Sequence, residues 1–185
     1  LKMQYVQKYM ELYPEDTTVV KGGAAAYLIL QECLDQNIPI NDIDVAINTD
    51  VSGQVILDRW LLIVPSSYTV QYDQYNLYNP EFPISIFSLT DTTGSDFSLD
   101  IFVNDDDFTY TEKIGSFNVE RLDLMIKRLY SELYDRKSDI EFLRDDPDAM
   151  PNIDLQQFIE KYNRMYDRLI LLGECFKKRQ NNIPF

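Results

Sequence analysis

The chain has 185 residues, 45% hydrophobic and 13% aromatic, which is enough apolar material for a real core and too much for a disordered chain. Its 31 acidic against 17 basic residues give a net charge of −14, which argues against a large sequence-independent nucleic-acid surface. Histidine is absent, which excludes His-based triads, His metal ligands and His general bases, so acid–base or metal chemistry must rest on carboxylates, Lys or Tyr.

Residues 1–13 place Met3, Val6, Met10 and Tyr13 at helical spacing, with Pro14 as the stop. Thr17 to Val20 is short and β-branched, the pattern of a buried strand, and Gly22-Gly23 breaks it. Residues 24–36 carry helix formers on nearly every side, so a largely buried helix is expected. After Pro39, Asp42 to Asn48 alternates, with Ile43, Val45 and Ile47 on one face and Asp42, Asp44 and Ala46 on the other. A helix over 51–63 ends before Pro65, and strands follow at Tyr68–Tyr72, Ile84–Leu89 and Phe97–Val103. A Tyr/Asn-rich stretch at 73–83 and an Asp-Thr-Thr-Gly turn at 91–94 connect these strands.

The character changes after about residue 105. Leu122, Met125, Ile126, Leu129, Tyr130 and Leu133 form a one-sided amphipathic stripe. Asp154 with Gln157 resembles a capping box opening a long helix whose stripe runs from Leu155 through Phe158, Met165 and Leu172 to Phe176. The expected organisation is an α/β core over 1–105 followed by a helical region over 106–185 packed on it. Cys33 and Cys175 both fall in helix-like apolar stretches and read as packed thiols rather than a disulfide. No apolar run reaches the ~20 residues of a membrane span. Leu1-Lys2-Met3-Gln4-Tyr5 shows no signal-peptide pattern and no initiator Met, so a cytoplasmic chain is expected, and a fragment of a longer one stays open.

Asp42 and Asp44 share a strand face roughly 7 Å apart. Such a pair repels when buried alone and becomes favourable around a dication, which commonly takes one or two carboxylates, substrate phosphates and water. Asp100, alone in the apolar run Phe97-Ser-Leu-Asp-Ile-Phe-Val103, is the third candidate, because a mid-strand charge is costly unless paired or metal-bound. The Asp105-Asp106-Asp107 run reads instead as a solvated loop. Taken singly, Gly22-Gly23 fits an ordinary strand-to-helix turn and Asp42-Ile43-Asp44 the polar face of an edge strand. Taken in order they suggest a metal–nucleotide site.

That order resembles the nucleotidyltransferase superfamily, which includes DNA polymerase β, poly(A) polymerases (viral ones among them), CCA-adding enzymes and small toxin- or antitoxin-associated transferases. The matching positions are Val20, Gly22, Gly23, Asp42, Asp44 and Asp100, within about residues 17–103. The resemblance implies an α/β (α+β) fold with a mixed sheet flanked by helices. It further implies that Gly22 and Gly23 approach the triphosphate through backbone N–H groups, that Asp42 and Asp44 hold Mg²⁺ or Mn²⁺, and that Asp100 helps activate the attacking hydroxyl. Lys21 and Lys127 are candidate phosphate contacts, and Lys137 and Asp139 are further candidates from a segment similar to the helical part of toxin-type transferases.

The expected function is transfer of a nucleoside monophosphate from an NTP to a hydroxyl on RNA, protein or a small molecule. The alternative is a catalytically silent transferase-like domain with an interaction or regulatory role. The acidity favours a protein or small cationic acceptor, or RNA delivered by a partner. A partner protein or a second copy of the chain is the candidate associate.

Overall fold

The computed structural model describes residues 2–72, 85–94, 97–104 and 110–183. The expected connection at 73–83, Ile84 and the Asp105-Asp106-Asp107 run lie outside the described residues. In chain order the elements are α1 (Met3–Leu12), β1 (Thr17–Lys21), α2 (Gly22–Leu34), β2 (Asp42–Asn48), α3 (Gly53–Ile63), β3 (Tyr68–Tyr72), β4 (Ser85–Asp91), β5 (Ser98–Val103), β6 (Thr111–Ile114), β7 (Phe117–Glu120), α4 (Leu122–Asp145) and α5 (Leu155–Asn181). The fold is mixed α/β, a seven-stranded sheet ordered β3-β4-β5-β2-β1-β7-β6 followed by the helices α4 and α5. The chain divides into two compact units, Leu1–Leu28 with Pro39–Arg121, and Ile29–Ile38 with Leu122–Phe185.

The first unit contains the whole sheet. β2 lies between an antiparallel neighbour, β1, and a parallel one, β5. Strand alternation then sorts the side chains. Val20, Ile43, Val45, Ile47, Leu99, Ile101 and Val103 are all at most 1% exposed on one face, and they carry the strands' share of the core. Each such side chain taken from water contributes about 1.5–3 kcal/mol. Ala24 to Leu28 of α2 is buried throughout, as its all-round apolar character requires.

α1 and α3 pack on each other through Tyr9 and Trp60, whose rings stack at 4.7 Å. The buried face of α1 is Met3, Val6 and Tyr9, whereas Met10 and Tyr13, expected on that face, are only half-buried. A polar network sits beside this stack. Asp16 accepts hydrogen bonds from the Tyr9 hydroxyl at 2.6 Å and Arg59 Nη1 at 3.0 Å, while the Arg59 guanidinium lies 4.0 Å above the Tyr13 ring. Burial and the Asp16 bond together push the Tyr9 phenol above its ordinary range. Ser52 caps α3 by accepting from Val55 N–H, and Val64, extended before Pro65, ends it.

The hairpin β6–β7 was not anticipated, since residues 106–120 read as part of the helical region. Four-residue strands give little periodicity, but Gly115-Ser116 between them is a two-residue hairpin signal, and Gly115 takes φ +58 there.

The second unit is built on α4 and α5, with the last turns of α2. Leu122, Met125, Leu129, Leu133, Ile140 and Leu143 are the buried residues of α4, and Met165, Leu172 and Cys175 those of α5. Tyr130, expected on the buried stripe, is 68% exposed because it lies one residue round the helix from Leu129. Asp154 caps α5 as expected, accepting from Gln156 N–H and Gln157 N–H.

One expectation is overturned here. Cys33 and Cys175 form a disulfide with Cα atoms 5.9 Å apart, rather than standing as separate packed thiols. Helical periodicity placed each cysteine inward but carries no information on a pairing 142 residues apart. Lys178 Nζ on the Cys33 carbonyl and Arg179 near Glu32 add polar ties at the same place. Among the described residues no helix is long and apolar enough to cross a membrane.

Candidate metal centre

β2 opens with Asp42 and Asp44 on the face opposite its buried Ile43 and Val45. β5 runs parallel beside it in a register that sets Asp44 against Asp100 and Asp42 against Ser98. Partners in register point to the same side of a sheet, so the alternation that buries Leu99 and Ile101 delivers Asp100 to the carboxylate side. Oxygen atoms of Asp42, Asp44 and Asp100 all lie within 4.8 Å of one another, with Asp42 exposed and the other two half-buried.

Three carboxylates so close repel one another. At about 4 Å a charge pair costs roughly 1 kcal/mol in water and about 4 kcal/mol near a protein surface. An oxygen-only, multiply charged donor set suits a hard dication such as Mg²⁺ or Mn²⁺ and suits soft metals poorly. The residues present therefore fit the metal that the sequence suggested.

The same rung of the sheet continues to both sides of the triad. Lys21 on β1 pairs in register with Asp44, and Ser88 on β4 pairs in register with Asp100. Ser88 Oγ donates a hydrogen bond to Asp100 Oδ1. The Lys21 ammonium lies 5.8 Å from the centre of the Phe102 ring, on the same face.

Gly22 closes the site at the end of β1. Its φ of +57° is a left-handed conformation that L side chains rarely adopt. A Cβ at this position would also fall on Asp44 Oδ2, so backbone and carboxylate meet here without room for a side chain. Gly22 N–H donates to Glu120 Oε2 at 3.4 Å. Gly23, half-buried, lies in the first turn of α2.

The structure thus brings Lys21, Gly22, Asp44 and Asp100 together with Asp42 within the first unit. Lys127, Lys137 and Asp139 are exposed positions on α4 in the second unit. Sequence reasoning missed Ser88 and Glu120. Ser88 had a faint signal, a polar residue between the apolar positions Phe87 and Leu89, but its pairing with Asp100 is non-local.

No protein-family model matches the sequence, and neither does any curated protein. Solved structures to which the chain is similar include JHP933 from Helicobacter pylori, 13% identical with a TM-score of 0.44, covering 96% of this chain and 93% of that one. A cytoplasmic RNA terminal U-transferase is 18% identical with a TM-score of 0.35, covering 55% of this chain and 28% of that one. The lincosamide antibiotic adenylyltransferase LnuA, in its lincomycin-bound structure, is 18% identical with a TM-score of 0.36, covering 62% and 65%. These likenesses are distant, and the second and third are also partial.

Proposed function

We propose that this chain is a metal-dependent transferase of the nucleotidyltransferase superfamily, moving a nucleoside monophosphate from an NTP to a hydroxyl acceptor. The observation that carries this reading is the convergence of Asp42, Asp44 and Asp100 beside the Gly22 bend. A carboxylate triad alone would be a generic acidic patch. Beside a helix N-terminus reached through a glycine, it supplies both halves of a metal–triphosphate site.

In this reading Asp42 and Asp44, with Asp100 beside them, would hold the dication, which would supply charge neutralisation on the triphosphate and the departing pyrophosphate. The amides at Gly22 and Gly23 and the Lys21 ammonium orient the phosphates. The acceptor oxygen attacks the α-phosphorus in line, the bond to the β-phosphate breaks, and pyrophosphate leaves. Asp100, held by Ser88, faces the attacking hydroxyl and takes up its proton. The protein's contribution is mainly positioning and charge compensation, as phosphoryl-type transfer demands. Lys127 is proposed as a further phosphate contact on the sequence resemblance alone. The acceptor is an RNA end, a protein side chain or a small molecule.

The test is incubation with Mg²⁺ and α-labelled NTPs alongside total cellular RNA or total protein. Wild type is expected to transfer label and release pyrophosphate, and folded Asp44→Ala to do neither. Stabilisation by NTP with Mg²⁺ without pyrophosphate release would identify a silent nucleotide-binding domain instead. Label uptake unchanged in Asp44→Ala would remove the mechanism.

A further inference from the structure

β7 runs parallel to β1 with Val119 opposite Val20. The next residue, Glu120, therefore sits where β1 turns into α2, at the amide end of that helix. Glu120 is half-buried and its Oε2 accepts the Gly22 N–H. An anion at a helix N-terminus is electrostatically favourable, and a carboxylate serves there as a phosphate does.

In the functional reading above, on which this inference rests, the Gly22 amide belongs to the triphosphate. One N–H cannot serve a carboxylate and a phosphate oxygen at full strength, and two anions side by side repel. We propose that Glu120 is an intramolecular competitor for the phosphate cradle, which occupies the Gly22 amide in the nucleotide-free protein and must withdraw for the triphosphate to enter. It sets nucleotide affinity below what the cradle would otherwise reach. Loss of its charge therefore tightens binding, the opposite of what loss of a ligand-binding residue does.

The experiment is calorimetric titration of inorganic tripolyphosphate, and separately of ATP, each with Mg²⁺, into wild type, Glu120→Gln, Glu120→Ala and Asp44→Asn. Tripolyphosphate reports the cradle without any base preference. Both Glu120 variants are expected to bind either probe about tenfold tighter than wild type, the scale of one charge-assisted hydrogen bond. Asp44→Asn is expected to bind markedly weaker. A purely structural cap on α2 predicts instead a lowered melting temperature in Glu120→Ala with affinity unchanged or reduced. That outcome, with Asp44→Asn still weakened, overturns the proposal and leaves the nucleotide reading standing. Absence of Mg²⁺-dependent binding in every variant overturns both.

Discussion

Gly22 and Asp44 approach so closely that a β-carbon at position 22 would fall on Asp44 Oδ2, so any side chain there would displace that carboxylate oxygen. Gly22→Ala is expected to cost about 1–2 kcal/mol for the left-handed backbone alone, and to turn Asp44 away from Asp42 and Asp100. The check is Mn²⁺ affinity by electron paramagnetic resonance, alongside thermal melting. Wild-type metal affinity in a folded Gly22→Ala would show that Asp44 does not depend on this approach.

Ser88 and Asp100 face each other across the β4–β5 pair, and the serine hydroxyl restrains the carboxylate. Groups that orient a metal-binding carboxylate typically account for about 10–100-fold in metal affinity or activity. Ser88→Ala is expected to lose at the lower end of that range, and Ser88→Thr, which keeps the hydroxyl, to recover most of it. Equal metal affinity and turnover in Ser88→Ala and wild type would reduce the contact to packing.

The Asp16 carboxylate is 3% exposed and holds both Arg59 and the Tyr9 hydroxyl. Its removal leaves a cation and a phenol partly buried with weakened partners. Asp16→Ala is expected to destabilise the fold by about 3 kcal/mol, the lower end for breaking a buried pair, because Arg59 keeps Glu15 at 3.7 Å. Chemical denaturation measures this, and a double-mutant cycle with Arg59→Met isolates the coupling. A change below about 1 kcal/mol would mark the network as surface-like.

Tyr68 is pushed up to about 12 by burial, with the charges of Tyr5 and Asp91 adding to the effect. In the unfolded chain a tyrosine titrates near 10. Between those values the unfolded state binds fewer protons than the folded one, so stability falls as pH rises. The contribution of Tyr68 is intact below about pH 10 and lost as the pH climbs to about 12. Tyr68→Phe is expected to fold normally at neutral pH, since the buried hydroxyl has no hydrogen-bond partner among the described residues. Urea midpoints across this alkaline range should fall less steeply in Tyr68→Phe, and identical slopes would assign the loss elsewhere.

Much of the candidate site was legible before any coordinates, because charges placed at alternate positions of apolar strands have few physical explanations. Asp42, Asp44 and Asp100 stood out for that reason, and their oxygens do converge. What depends on pairing between distant strands was not legible. Ser88 and Glu120 reach the site only through the β4–β5 and β1–β7 neighbours, and nothing in their local sequence states which strand lies beside them. The disulfide escaped for the same reason, since each helix shows its own inward face and not the helix opposite. Short strands were the other blind spot, for β6 and β7 are four residues each and alternate too briefly to be recognised.

The apolar core and the acidic triad are opposite sides of the same two strands, β2 and β5, so neither can be set without the other. Sliding β5 by a single residue against β2 would turn Leu99 and Ile101 to water and drive Asp100 into hydrocarbon. Misaligned chains are thereby penalised twice, once by exposed apolar side chains and once by a buried charge. Alignment of the acidic triad is thus delegated to ordinary greasiness: a molecule that has folded at all has already aligned its carboxylates.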